Sequence, residues 1–176
     1  MLNAQTQLAL VKYVDDKNQE RTHDVCERVY ERGGVDVAAF MTQEGKEYMI
    51  LGVQYRPAID KYCVGFPAGL IDKGENPEEA ACRELKEETG YEGEAVSVRP
   101  SLPAHQGIST TYSYLVHMKV DGDKYKTEPE QKLEDGEYIK VIKIEKSKLL
   151  ETLHRFSNKG FALDPKLYSL ALGYAT

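Results

Sequence analysis

The stretch from Gly69 to Tyr91 restricts this chain more than any other, because it announces one helix and loads it with acid. Asn76 is a strong N-cap, Pro77 suits the first helical position, and Glu78 and Glu79 fall in the first turn, where the helix dipole favours negative charge. Gly90 suits the left-handed residue that closes a helix, so the signals predict a helix over Pro77–Thr89. On a helical wheel Glu84, Glu87 and Glu88 share one narrow face, while Ala81, Cys82, Leu85 and Thr89 occupy the adjoining side. Like charges at i,i+3 and i,i+4 oppose the helix by roughly 0.2–0.5 kcal/mol per pair, and something must offset them. A hard divalent cation does so, since Mg²⁺ and Mn²⁺ prefer carboxylate oxygens. An acidic helix face alone is more often merely solvated, so the decision rests on what surrounds it.

Ahead of the helix, Pro67-Ala68-Gly69-Leu70-Ile71-Asp72-Lys73-Gly74 reads as an irregular loop. Arg83 stands beside the glutamates and can pair with Glu75 at the loop end, pinning loop to helix through a fork-shaped contact. That is a structural role, with the glutamates left for chemistry.

The first third of the chain reads as β. Gln7–Val14, Arg21–Tyr30, Val35–Met41 and Tyr48–Tyr55 are rich in Val, Tyr, Thr and Ile, with turns at Asp15–Asn18, Gly33–Gly34 and Glu44–Lys46, and Tyr62–Phe66 is a shorter apolar run. Further strands are predicted at Ala95–Val98, Thr111–Val120 and Glu137–Ile144, and helices at Lys146–Phe156 and Pro165–Gly173. Strands with a few helices and no βαβ alternation indicate an α+β fold with a mixed sheet. Asp121–Asp135 is the one long polar loop, and long loops are often functional.

Bulk properties limit the partners. A length of 176 residues suits one domain with one sizeable core, and 41% hydrophobic with 30% charged residues is a globular balance. A net charge of −6 argues against nucleic acid or an anionic membrane as partner, so a phosphate-bearing substrate needs local arginines or a bridging cation. No run approaches the ~18 apolar residues of a membrane span and no export signal is evident. Cys26, Cys63 and Cys82 form no CxxC pair, which favours reduced thiols and a cytoplasmic setting, with the nucleus also open.

Spacing then raises the acidic face above the solvated alternative. Gly69, five residues, Glu75, seven residues, then Arg83-Glu84-Leu85-Lys86-Glu87-Glu88-Thr89-Gly90-Tyr91 resembles the Nudix box, with Tyr91 departing from an aliphatic preference in a way that bears on packing. The resemblance implies a Nudix-like α/β/α sandwich with a mixed sheet and an N-terminal antiparallel β segment. It also implies that Glu84, Glu87 and Glu88 hold Mg²⁺, with Mn²⁺ able to substitute and the Ala68 carbonyl a further ligand, while Glu87 and Glu88 take part in catalysis. Gly69, Glu75, Arg83 and Gly90 are then the structural members of the motif.

Beyond the box, Gln54-Tyr55-Arg56-Pro57, Phe66–Asp72 and Asp135-Gly136-Glu137-Tyr138 resemble the ADP-ribose/ADP-sugar pyrophosphatase branch, as do Leu149-Leu150 and Tyr168-Ser169, which makes the likeness nearly chain-long. It implies cleavage of a nucleoside diphosphate sugar, ADP-ribose foremost, to AMP and ribose 5-phosphate. Arg28 and Arg56 match phosphate- or nucleotide-binding arginines, and Glu137 matches a glutamate that orients or deprotonates water. Where the branch stacks adenine on Trp this chain has none; His23 stands at the matching position, and Gln106 precedes Gly107 where the branch carries proline. Tyr112, Tyr114 and Tyr138 offer aromatic surface, though alternating tyrosines in strands more often pack a sheet. Other readings are the same chemistry on a GDP-sugar or an oxidised nucleotide, or a nucleotide sensor that binds without cleaving. The expected organisation is a single Nudix domain over 1–176, with 1–32 an N-terminal β segment serving as a dimerisation arm, 33–176 the core, and a homodimer as the assembly.

Overall fold

The computed structural model describes residues 6–28 and 33–175. Its frame is a mixed sheet. Strands β1 (Thr6–Val14) and β2 (Glu20–Arg28) form a separate antiparallel pair in unbroken register from Thr6↔Arg28 to Val14↔Glu20. The Val29 and Tyr30 end of the strand expected at Arg21–Tyr30 lies outside the described residues. The main sheet contains β3 (Gly34–Gln43), β4 (Lys46–Arg56), β5 (Lys61–Gly65), β6 (Ala68–Leu70), β7 (Glu94–Val98), β8 (Leu102–Pro103), β9 (Tyr112–Asp121), β10 (Ile139–Glu145) and β11 (Ala162–Leu163). The helices are α1 (Pro77–Thr89), α2 (Leu149–Asn158) and α3 (Pro165–Tyr174).

The register shows why a site opens in this sheet. β3 pairs with β4 only over Ala39–Gln43, and over Gly34–Asp36 it pairs instead with β6. β4 meanwhile parts from β3 and takes β5 as its neighbour over Gly52–Arg56. The two central strands therefore splay, and the loop that leads to α1 enters the gap, held by Val37 N–H donating to Pro67 O at 2.8 Å. The other edge of β3 runs parallel to β9, and β10 pairs antiparallel with β4, which makes the sheet mixed as expected.

Alternation along β3 feeds two cores. Val35, Val37, Ala39 and Met41 pack against Ala80, Ala81 and Leu85 of α1 on one face. Ala38 and Phe40 pack on the opposite face with Leu149 and Leu153 of α2 and Leu167 and Ala171 of α3. Helices cover both faces, an α/β/α sandwich.

Three departures from the sequence expectation lie in or next to the segments that frame the site, apart from the short strands β8 and β11, which were not expected. The glycine-rich loop contributes β6, three residues too short to show any periodicity. The strand expected from Glu137 begins at Ile139, because Gly136 (φ 85°) and a bond from Glu137 N to Glu134 O make a turn there. The helix expected from Lys146 begins at Leu149 after a 3₁₀ turn over Lys146–Lys148, for Lys148 provides no side-chain cap. Among the described residues no helix is long and apolar enough to cross a membrane.

Candidate active site

Helix α1 starts where its caps dictate. The Asn76 side chain accepts from Glu78 N and Glu79 N at 2.9 Å each, and Glu79 returns the favour by accepting from Asn76 N. At the other end Gly90 is left-handed (φ 75°), its N–H donating to Lys86 O at 2.8 Å. Burial of Ala80, Ala81, Leu85 and Thr89 fixes the helix rotation, which aims Glu84, Glu87 and Glu88 at the loop. Tyr91 is buried too, edge-on to Tyr125 with ring centroids 4.9 Å apart, and its hydroxyl donates to Glu128 at 2.6 Å.

Arg83 joins loop to helix. Its Nε and Nη2 donate to the two Glu75 oxygens at 2.8 and 3.0 Å, and Nη2 also donates to Leu70 O at 2.7 Å. Its Nη1 donates to Glu84 at 2.7 Å and to Glu87 at 3.1 Å. The Arg83 bond holds the Glu75 carboxyl below its usual range, and Arg83 in turn is held more firmly charged, by Glu75 above all. Gly69 faces the same cluster: a Cβ there would collide with the Glu84 carboxyl.

Glu88 is the unusual member. It is 5% exposed, its Oε2 accepts from Ala68 N at 2.9 Å, and burial pushes its carboxyl up to about 8, with Glu84 and Glu137 adding to the rise and Ala68 N–H and Arg56 opposing it. Burial also raises Glu84, against the pull of Arg83. Both carboxyls are thus harder to ionise than in water, and burial is the first cause in each.

A cavity of about 580 Å³ lies over this face. Arg28, Arg56, Glu84, Glu87 and Glu137 all line it, together with Ala68, Gly69 and Arg83. Arg28 arrives from β2, Arg56 from the end of β4, and Glu137 from the loop before β10, so the fold gathers distant segments around α1. Arg28 Nε is buried, with no hydrogen-bond partner among the described residues. A smaller cavity of about 100 Å³ continues past Arg56 and Ala68 and contains Glu88. His23 and Gly107 line neither cavity; they meet each other, with His23 Nε2 2.9 Å from Gly107 O. Asp72 and Glu134 also line the large cavity. Sequence reasoning passed over both, since an acidic residue in a polar loop carries no signal of what it faces.

Among the described residues no three carboxylate, thiol or imidazole groups already converge as a metal cage. Glu84 and Glu87 are engaged by Arg83, and Glu88 by the Ala68 N–H.

Comparison with known proteins bears on the fold and the family. A family model described as the NUDIX domain matches residues 32–161. An ADP-ribose pyrophosphatase of Saccharomyces cerevisiae is 35% identical over 173 residues, covering 94% of this chain and 75% of its own. An ADP-sugar pyrophosphatase of Mus musculus is 34% identical over 167 residues, covering 91% of this chain and 77% of its own. Among solved structures, a crystal structure of an ADP compounds hydrolase superposes with a TM-score of 0.68 over 99% of this chain and 86% of that one, at 22% identity, a likeness of fold. A loop and helix with every glycine and charged position of the box, on a mixed sheet sandwiched by helices, and matched over most of its length, place the chain in the Nudix family of hydrolases.

Proposed function

We propose that this chain is a Mg²⁺-dependent pyrophosphohydrolase of nucleoside diphosphate sugars, with ADP-ribose its foremost substrate and AMP and ribose 5-phosphate the products. The observation that carries the reading is the single cavity in which Glu84, Glu87 and Glu137 face Arg28 and Arg56. Acids to hold a cation and forks to hold phosphate are both needed for an anionic diphosphate, and here they share one space. The names of the yeast and mouse relatives support the substrate class.

The donor set fits a hard cation. Three carboxylates lie within two helical turns, and the bare Gly69 leaves room for the Glu84 carboxyl. Glu84, Glu87 and Glu88 would hold Mg²⁺, the Ala68 carbonyl would add a ligand, and Mn²⁺ would serve in its place. When bound, the cation neutralises charge on the diphosphate and makes water a better nucleophile. Arg83, which donates to Glu75 and Leu70 O as well, would stay in place when Glu84 and Glu87 turned to the cation.

The rest is the work of the chain's own groups. Arg56 and Arg28, which line the cavity together, grip phosphate oxygens. Glu137 accepts a proton from the attacking water as its oxygen adds to one phosphorus and the P–O bond of the bridge breaks. His23, its ring steadied by the Gly107 carbonyl, offers a stacking face where the relatives' branch has Trp. Residues 33–176 act as the core and 1–32 as an arm of one domain. The arm's apolar face in the isolated chain, with Leu8 85% and Leu10 and Val14 each 59% exposed, fits a homodimer in which a second copy covers it. The setting is cytoplasmic, with no nucleic acid or membrane partner.

The test is AMP release from ADP-ribose with and without Mg²⁺, in the wild type and in Glu87→Gln, beside ADP-glucose, GDP-mannose and a dinucleotide. The expected result is Mg²⁺-dependent turnover, highest on ADP-ribose, and a loss of roughly 10²–10⁴-fold in Glu87→Gln. Unchanged turnover in that variant would overturn the metal assignment. Faster cleavage of a GDP-sugar would replace the substrate, and binding without cleavage of any of them would mark a sensor.

A further inference from the structure

The carbonyls at the C-terminal end of α1 lack partners within the helix, and the way they are satisfied is particular. Lys86 O accepts from Gly90 N. Glu87 O accepts from Lys132 N at 2.8 Å, across to the long loop. Glu88 O accepts from the side chain of Gln131, whose Nε2 lies 2.5 Å from it and 3.0 Å from Ile139 O. An amide NH₂ has two hydrogens, so one group can serve both carbonyls. Gln131 thus ties the glutamate-bearing turn of α1 to the first residue of β10. Residues 132–138 run out from that tie and return to it, and Glu134 and Glu137, which line the cavity, hang between its ends.

The packing beneath is close. A Cβ on Gly90 would come within 2.6 Å of Glu130 O, so the loop lies directly on the helix end. Upstream, Glu128 is held by Tyr91 and, at 2.7 Å, by Lys143. Beyond Lys132 the geometry changes: Gly136 is left-handed, and the contacts of Glu134 and Glu137 are with one another, Glu134 N donating to Glu137 Oε2 at 3.2 Å and Glu137 N to Glu134 O at 3.0 Å. The loop is moored in its first half and self-contained in its second.

From this we infer that Gln131 is a positioning residue for the proposed reaction, setting where Glu137 stands relative to Glu87 and Glu88 by joining both ends of its loop to α1. The inference rests on the role given to Glu137 above. It assigns Gln131 no contact with substrate. A carboxylate that must meet one water loses effect steeply when displaced, whereas binding through Arg28 and Arg56 is untouched.

The test is Gln131→Met, which keeps the length and bulk of the side chain without its donors, made alone and with Glu137→Gln. For AMP release from ADP-ribose the expected result is a kcat lower by roughly tenfold with KM within about twofold. In the Glu137→Gln background the same change should cost less than about twofold, because its target has gone. Amide exchange over residues 133–138, which needs no substrate, should speed up while that of α1 stays as it was. Wild-type kcat in Gln131→Met, or an equal loss with and without Glu137, overturns the inference. If the wild type releases no AMP from ADP-ribose, the substrate reading fails separately, and unchanged exchange over 133–138 still overturns the mooring.

Discussion

The loop and helix of Gly69–Tyr91 and the hairpin of Thr6–Arg28 are equal in length and built on opposite terms. In the first, side chains answer one another: Asn76 with Glu79, Arg83 with Glu75, Glu84 and Glu87, and Leu85 with the core. In the second, a backbone ladder is joined by exposed side-chain bonds within the hairpin itself, Arg21 with Asp15 and Gln19 and Gln7 with Glu27, and by few bonds to the rest of the chain. Among the described residues its hydrogen bonds to the body are Cys26 N to Ile108 O, Thr110 N to Cys26 O, and the His23 ring on Gly107 O. A two-stranded hairpin with apolar surface on show is marginal by itself. The difference teaches that the acidic helix is specified by its own neighbours, whereas the hairpin, which brings Arg28 to the cavity, leaves apolar surface uncovered in the single chain.

Gly90→Ala attacks the first half of that contrast hardest. The position needs glycine twice, for its φ of 75° and for the approach of Glu130 O. A methyl there should cost about 2–4 kcal/mol of stability in urea unfolding, from left-handed strain and overpacking together. A wild-type midpoint would mean that the helix end and the long loop are not in contact, and the self-sufficiency of this region would be lost as an explanation.

Leu8→Ser attacks the second half. If a second copy covers the hairpin, the dimer dissociation constant should rise about tenfold to a hundredfold, the equivalent of burying one leucine, while the monomer's melting point barely moves. Sedimentation of the two proteins over a range of concentrations reads it. An unchanged dissociation constant would leave Leu8 out of the interface, and a purely monomeric wild type would remove the dimer altogether.

The same contrast explains what could be read without a structure. The bounds of α1 were legible to the residue, because Asn76, Pro77 and Gly90 act within one turn. The long strands β3, β4 and β9 were legible from their apolar patterning to within two residues at each end. The start of β10 was not, since the turn at Gly136 depends on a backbone bond between Glu134 and Glu137 that composition does not report. Of the candidate site residues, Glu84, Glu87 and Glu88 followed from helical spacing. Arg28, His23 and Gly107 came only by family likeness, for the His23 to Gly107 contact spans 84 positions in the chain. Gln131 left no trace in the sequence at all: a glutamine in a polar loop looks the same whether or not it bridges two carbonyls.

The gentlest way to sharpen the comparison is through pH, at the point where the box reaches beyond itself. Glu128 accepts from Tyr91 OH and from Lys143 Nζ, and its carboxyl is held below the usual range by Lys143 first and Tyr91 second. A folded-state pKa lower than the unfolded one means that this contribution is present above about pH 4.5 and fades as pH falls through the folded value. The side chain is 68% exposed, so screening limits the pair to a few tenths of a kcal/mol, roughly. Glu128→Gln should therefore be slightly less stable than the wild type at pH 7, and the gap should close as both are titrated into acid. A gap that stays constant with pH would assign the effect to packing around Tyr91 instead of to the charge. In that case the end of the box would be anchored by its aromatic core alone, and the long loop would depend on Gln131 and Lys132 for its hold on α1.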